Sequence, residues 1–412
     1  MANLRPVRGT HDLFGDEMLR HRALVERARA VAAVYGYGEI ATPIFEFTEV
    51  FARTLGETSD VVSKEMYTFE DRGGELITLR PENTAGICRA MVSNGMQQNL
   101  PAKLFYYGPM FRYERPQKGR LRQFHQIGVE VLGAPEPLAD VEVIALGWRI
   151  LSTSGINAPI TLELNTLGDV ESRVAYRDAL VGYLRNYEHE LSADSRARLE
   201  RNPLRILDSK DENDRRILVD APDFTTFLNP DSRAFFDEIC KRLDALGLPF
   251  TLNPHLVRGL DYYGHTAFEF TTTALGAQSA VLAGGRYDGL IASMGGPSIP
   301  GVGWAAGVER LTMLVERPAE QATPIAIVPM DEAEIDAALI LAEELRAAGF
   351  VVDMAFKGKA GARLKRAAKT GARYACLIGA EELINNTVTL RDMDSGAQET
   401  IGLRALYDRL RD

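Results

Sequence analysis

Hydrophobic positions recur first at helical and then at strand spacing, and the switches between the two predict most of the elements. In residues 16–35 they fall at Leu19, Ala23, Leu24, Ala28, Val31 and Val34, a helical stripe that Gly36 closes. The extended stretch 39–44 carries Pro43, which cannot donate to a ladder, so it reads as an edge or boundary strand. A helix followed by such a strand suits a subunit contact and equally an ordinary first helix on a core. Short strands are predicted at 66–69 and 76–79 around the turn Asp71-Arg72-Gly73-Gly74. Pro81 and Glu82 then open a helix reaching about Val92, where capping alone accounts for Glu82 and Thr84.

Residues 103–133 read as a β-hairpin with a cationic tip. Because strand side chains alternate faces, Arg112 and Glu114 share one face of the first strand, and Phe124, Gln126, Gly128 and Glu130 share one on the second. If those faces coincide, fixed charges surround an aromatic plate and a glycine gap. The loop between them carries Arg115, Gln117, Lys118, Arg120 and Arg122.

Beyond the hairpin, a helix is predicted over 138–151 and an alternating strand over 160–165. Charged helix-forming segments then fill 170–248 as an insertion. Strand character returns at 250–252. The run Leu256-Val257-Arg258-Gly259-Leu260-Asp261-Tyr262-Tyr263 leads into another strand and suits a pocket wall or a core strand with incidental tyrosines. Small residues in 302–309 permit close packing or ligand approach. They place Arg310 in a helix's first turns, where a cation calls for an anionic partner. Residues 318–324 form a Pro-punctuated linker. The strand–helix alternation of 325–412, ending in a hairpin, indicates a separate α/β domain. Its stretch from Lys357 to Arg373 has no acidic residue and reads as a basic patch or a solvated face.

With 412 residues, the chain has room for two or three domains. A hydrophobic fraction of 46% and a charged fraction of 25% are those of an ordinary globular protein. Apolar runs fall short of the roughly 18 residues of a membrane span, and the first residues lack a signal peptide's apolar core. Cys88, Cys240 and Cys376 are far apart and odd in number, which fits a reducing cytoplasm. The 6 histidines have no metal-binding spacing, so no metal site built by the protein is expected. A net charge of −10 argues against bulk nucleic-acid affinity but leaves room for local basic patches, because screening acts over roughly 8–10 Å.

Arg112, Arg258 and Arg310 come from distant segments, accompanied by Glu82, Gln126 and Glu130. No Ser-His-Asp or Cys-His set, GxGxxG fingerprint or GxxxxGK[ST] loop is present. Fixed arginines without a poised base suit the stabilisation of charge on phosphoryl oxygens. Their planar forks hold such oxygens better than lysine does.

These residues resemble the class II aminoacyl-tRNA synthetases, and within them the histidyl-tRNA synthetase family, over nearly the whole chain. Residues 35–49 with Pro43 are similar to the dimer-forming motif 1. Phe111-Arg112-Tyr113-Glu114 with 123–130 resembles motif 2, and 303–310 resembles motif 3. LVRGLDYY and AGGRYDG, ending at Tyr263 and Gly289, resemble the segments that distinguish the histidine enzymes. The resemblance implies an α+β fold: an antiparallel sheet flanked by helices, a helical insertion and a C-terminal α/β anticodon-binding-like domain. The implied division is 1–169 and 250–317 for the two parts of the catalytic domain, 170–249 for the insertion, 318–324 for the linker and 325–412 for the last domain.

The resemblance further implies ATP as substrate with Mg²⁺ bound through its phosphates, L-histidine, tRNA(His), a cytoplasmic homodimer and no membrane association. Arg112 would hold the α-phosphate and the histidine carboxylate, Glu114 would contact adenine, Phe124 would stack on it, and Arg310 would bind the γ-phosphate. Arg258 would stabilise the α-phosphate during attack. Glu82 and Thr84 would hold the substrate amino group with Gln126 nearby, and Asn83 stands between them where the family often has Gly. Glu130 and Tyr263 would read the imidazole, with Tyr262 and Tyr287 lining that pocket. Arg115, Gln117, Lys118, Arg120 and Arg122 would meet the tRNA acceptor end. Two alternatives are a histidine-sensing regulatory subunit of ATP phosphoribosyltransferase and an ATP-dependent ligase for another small acid. Such regulatory relatives typically lack the last domain and erode the arginines, whereas this chain keeps both.

Overall fold

The computed structural model describes residues 4–55, 61–257, 262–276, 279–315 and 323–411. They fall into two compact units, Met1–Ala319 and Glu320–Asp412. In the first unit the strands are β1 (Gly38–Glu39), β2 (Phe45–Phe47), β3 (Tyr67–Glu70), β4 (Leu76–Leu79), β5 (Ala102–Phe111), β6 (Gln123–Leu132), β7 (Thr161–Thr166), β8 (Phe250–Leu252), β9 (Gly264–Thr271), β10 (Ala280–Arg286) and β11 (Gly301–Gly307). Eight of them form one sheet in the order β1-β5-β6-β11-β10-β9-β7-β8, while β2-β4-β3 form a small antiparallel sheet. The large sheet is antiparallel through its centre, with parallel pairs only at its two edges.

Strand alternation divides this sheet into two faces. Phe105, Ile127, Val129, Val131, Val302, Trp304 and Ala306 pack with helices Gly15–Val34, Pro137–Thr153 and Pro230–Ala245. The opposite side of β6 carries Phe124, Gln126, Gly128 and Glu130, as the period of two predicts. Across from it, β11 presents Gly303, Ala305 and Gly307, paired with Glu130, Gly128 and Gln126. With so little side chain on β11, this face is left hollow.

The hairpin pairs Phe111 with Gln123, so its first strand stops one residue before Arg112. Arg112 lies just past the strand end, its amide adding one last cross-strand bond to the Arg122 carbonyl at 2.9 Å, and the chain then turns so that the Glu114 amide donates to the Arg112 carbonyl at 2.8 Å. The first helix also differs from its predicted stripe. Its buried residues are His21, Leu24, Val25, Ala28 and Ala32, while Val34 is exposed.

A buried ion pair ties the helix side of the sheet together. Arg286 and Asp140, both almost inaccessible, meet between β10 and helix Pro137–Thr153. Arg286 also donates to the carbonyls of Ala134 at 3.1 Å and Glu136 at 3.3 Å. Removing one partner would strand the other charge, at about 3–5 kcal/mol.

The second unit holds β12 (Ile325–Pro329), β13 (Val352–Met354), β14 (Tyr374–Ile378), β15 (Thr387–Asp392) and β16 (Gln398–Gly402), ordered β13-β12-β14-β15-β16. Helices cover both faces. Leu341, Leu345, Leu406 and Leu410 pack on one side, and Ala367 packs on the other. The hairpin expected at the end of the chain is present as β15–β16. A further helix, Leu403–Arg411, follows it with Leu406 and Leu410 buried.

Candidate active site

The hollow face encloses a cavity of about 200 Å³ whose lining includes Glu82, Arg112, Glu114, Phe124, Gln126, Tyr263 and Arg310. Arg112 is held at two points. Its Nε donates to the Pro81 carbonyl at 2.9 Å, and its guanidinium lies 5.3 Å from the Phe124 ring centroid. Arg310 donates to the carbonyls of Gly119 at 2.9 Å and Ala280 at 3.0 Å. These fix it at the loop side of the cavity, so carbonyls supply part of the partnership expected of an anion. Burial and the neighbouring Arg120 and Arg112 push its pKa down, against the opposing pull of Glu114 and Glu269. A polyanion entering here would relieve that mutual repulsion.

The cationic loop divides into two groups. Arg115, Gln117 and Lys118 are exposed. Arg120 turns inward to pair with Glu114 and lines the cavity. Arg122 lies 4.0 Å from the Tyr113 ring centroid and donates to the Glu114 carbonyl at 3.2 Å. The resemblance assigns all five residues to the tRNA acceptor end, and their spacing carries no sign of this division.

Behind Thr84 in the cavity wall the polar groups are buried. Glu130 is 1% exposed and accepts from the Thr84 hydroxyl at 2.7 Å and from the Tyr287 hydroxyl. Gly303 permits this arrangement, since a Cβ there would stand 1.8 Å from Glu130 Oε2. Burial is the main cause that pushes the Glu130 carboxyl up to about 8, helped by nearby Glu82 and opposed by the two hydroxyl donors. Glu82 accepts the amides of Thr84 at 2.7 Å and Ala85 at 3.0 Å, which caps helix Thr84–Ser93. It therefore serves the helix while also facing the cavity. Asn83 points away, accepting from Thr42 at 2.6 Å and Arg80 at 3.1 Å. Gln126 Oε1 is buried without a protein partner and offers a ligand donor an acceptor. Tyr262 and Tyr263 pack at a tilt along the wall, with ring centroids 4.5 Å apart and planes 42° apart. Arg258 lies outside the described residues.

One cluster escaped the sequence reading. His21, His125 and Glu309, from three distant segments, bring possible metal-ligand atoms within 4.8 Å of one another. Yet Glu309 is already engaged: it accepts the His125 amide at 2.9 Å through each oxygen and contacts His125 Nδ1 at 2.8 Å. That contact braces β6 beside Phe124 and Gln126 against the helix bearing Arg310. Burial is the largest cause lowering the His21 pKa, followed by the neighbouring His125. Histidine spacing alone could not reveal a meeting of residues so far apart in the chain.

An antiparallel sheet face with arginines lining its cavity, a buried carboxylate behind the cavity wall, and a separate α/β unit is the architecture of an aminoacyl-tRNA synthetase of the class II type. The comparisons narrow this. Residues 9–311 match the family model "Histidyl-tRNA synthetase" and residues 324–412 match "Anticodon binding domain". The chain is 61% identical to the histidine–tRNA ligase of Rhodospirillum rubrum, covering 100% of this chain and 99% of that one. It is 58% identical to the histidine–tRNA ligase of Gluconacetobacter diazotrophicus over 98% of each. The crystal structure of apo S. aureus histidyl-tRNA synthetase superposes with a TM-score of 0.83 at 36% identity, covering 100% of both chains. The chain belongs to the histidyl-tRNA synthetase family.

Proposed function

We propose that this chain is a histidine–tRNA ligase. The observation that carries the reading is one cavity lined by Arg112 and Arg310 and also by Thr84, Gln126 and Tyr263, with Thr84 donating to the buried Glu130, which Tyr287 also bonds, directly behind that wall. The arginines suit a triphosphate and a carboxylate; the wall backed by Glu130 suits an imidazole. In the first step a carboxylate oxygen of histidine bonds to the α-phosphorus of MgATP and the bond to the bridging oxygen of pyrophosphate breaks. In the second, a hydroxyl of the terminal tRNA ribose attacks the histidyl carbonyl and AMP leaves.

Arg112 holds the α-phosphate and the substrate carboxylate, Phe124 stacks on adenine, Glu114 contacts its edge, and Arg310 takes the γ-phosphate. Arg258 is assigned the α-phosphate during attack on the resemblance alone. The vacant acceptor on Gln126 makes it the stronger candidate for the substrate amino group, because Glu82 already accepts two amides and the Thr84 hydroxyl is given to Glu130. Tyr262, Tyr263 and Tyr287 complete the imidazole pocket. Such a polar pocket rejects analogues lacking a ring nitrogen by roughly 10⁴-fold, because its buried groups go unpaired.

We assign residues 1–169 and 250–317 to catalysis, 170–249 to an insertion, 318–324 to a linker and 325–412 to anticodon binding. A cytoplasmic homodimer is the assembly we infer. A groove of about 700 Å³ lined by Phe47, Val50, Leu76 and Met294, with Phe45 and Phe47 about half exposed, supports a subunit contact near motif 1. Among the described residues no helix is long and apolar enough to cross a membrane. The regulatory-subunit alternative is disfavoured by the retained arginines and the anticodon-binding match.

Histidine-dependent exchange of pyrophosphate into ATP, followed by charging of histidine tRNA, tests the reading. Folded protein that shows no exchange with histidine overturns it. For the loop, replacing Arg115 and Lys118 together with Gln should weaken tRNA binding and flatten its salt dependence by roughly 1–2 units of log–log slope. Exchange should stay within about twofold, since both side chains are exposed outside the cavity. An unchanged salt slope would remove this loop from the tRNA contact.

A further inference from the structure

Phe356 is 98% exposed, although burying a phenylalanine ring normally stabilises a fold. Slack backbone does not explain its position. Arg363, 6% exposed, reaches back under the loop and donates to the carbonyls of Ala355 at 2.6 Å and Gly358 at 2.7 Å. Gly358 makes the turn with φ +106°, a conformation open to glycine and strained for other residues. The ring is therefore presented to solvent by a braced loop between β13 and helix Ala360–Lys369.

Its surroundings are cationic. Lys357 and Lys359 follow it in the loop and are exposed, as are Lys365 and Lys369 on the next helix. From Lys357 to Ala380 the chain contains no acidic residue. An exposed apolar plate on a lysine-rich loop is poorly matched to a protein core patch or to an acyl pocket. It matches single-stranded nucleic acid, where a base supplies the π-face and the flanking phosphates supply the charge.

We propose that Phe356 is a stacking platform for an unpaired base of the tRNA anticodon loop, with Lys357 and Lys359 on the adjoining phosphates. This rests on the tRNA-charging reading above and names the contact through which the second unit serves it. Stacking of this kind predicts that Phe356→Ala raises the Kd for a histidine-tRNA transcript about tenfold. Phe356→Trp should restore binding, and Phe356→Leu should not. Histidine-dependent ATP–pyrophosphate exchange should match the wild type in all three, because adenylate formation needs no tRNA. A transcript carrying an abasic anticodon loop should bind the wild type and Phe356→Ala equally.

Equal affinity of the wild type and Phe356→Ala for the intact transcript overturns the proposal. So does full activity of Phe356→Leu, which would mark a generic apolar contact, or a changed sedimentation coefficient with unchanged tRNA affinity, which would mark a protein interface. Loss of exchange in the wild type is a separate result and would overturn the parent reading.

Discussion

Arg112→Ala is expected to lower histidine-dependent ATP–pyrophosphate exchange by about 10²–10³-fold while leaving the protein folded. The magnitude follows from position. Arg112 lines the cavity, where its guanidinium is fixed by the Pro81 carbonyl at 2.9 Å and by the Phe124 ring 5.3 Å away, so its charge needs little reorganisation as negative charge builds on the α-phosphate. Little stability should be lost, since one half-exposed hydrogen bond is worth about 0.5–1.5 kcal/mol. Arg112→Lys keeps the charge but forfeits the planar fork, and should recover only part of the rate. Exchange kinetics and a thermal melt decide the matter together. Exchange within fivefold of the wild type in a folded Arg112→Ala protein would show that the cavity stabilises this charge by other means.

The placement of Arg112 shows what the sequence could and could not carry. Alternation along β6 located Phe124, Gln126, Gly128 and Glu130 on one face because a strand's side-chain period is independent of its surroundings. The same rule lapsed past Phe111, where regular strand ends after one further bond from the Arg112 amide to the Arg122 carbonyl and the chain turns: Arg112 and Glu114 reach the cavity from the start of a loop. Arg120 and Arg122 were legible as charges but not as inward-turned ones, since their direction is set by Glu114 and Tyr113 across the loop. Pairings over long separations left no local trace. Asp140 meets Arg286 only after the sheet is assembled, and His21 meets His125 and Glu309 only when the first helix packs on β6. The terminal helix was different. Leu403, Leu406, Tyr407 and Leu410 stand at helical spacing, so this helix is legible in the sequence right after the hairpin. Tyr262 and Tyr263 were found through family resemblance, because two adjacent tyrosines serve a core as readily as a pocket.

Glu130→Gln should separate function from stability, and pH is the variable that exposes it. In the native state burial raises this carboxyl from 4.5 to about 8. Between those values the native protein holds a proton that the unfolded chain has released. Stability from this group is then fully present below pH 4.5, falls as pH rises by about 1.4 kcal/mol per unit, and levels off above about 8. Glutamine copies the protonated carboxyl without titrating. The variant and the wild type should melt with similar pH trends near pH 4, diverge steadily to pH 8 in favour of the variant, and stay separated by several kcal/mol above it. Function should move the other way. Glutamine cannot become the anion that an imidazole N–H or imidazolium pairs with, and a hydrogen bond to a charged group is worth about 1.5–3 kcal/mol. The KM for histidine should therefore rise roughly 10–150-fold, with the KM for ATP little changed. Parallel melting profiles across pH 4–8 would place the carboxyl in a wetter site than its 1% exposure implies. An unchanged histidine KM would take Glu130 out of imidazole recognition. Both outcomes together would leave Thr84 and Tyr287 holding Glu130 as a structural strut, and imidazole recognition would then pass to Gln126 and the tyrosines.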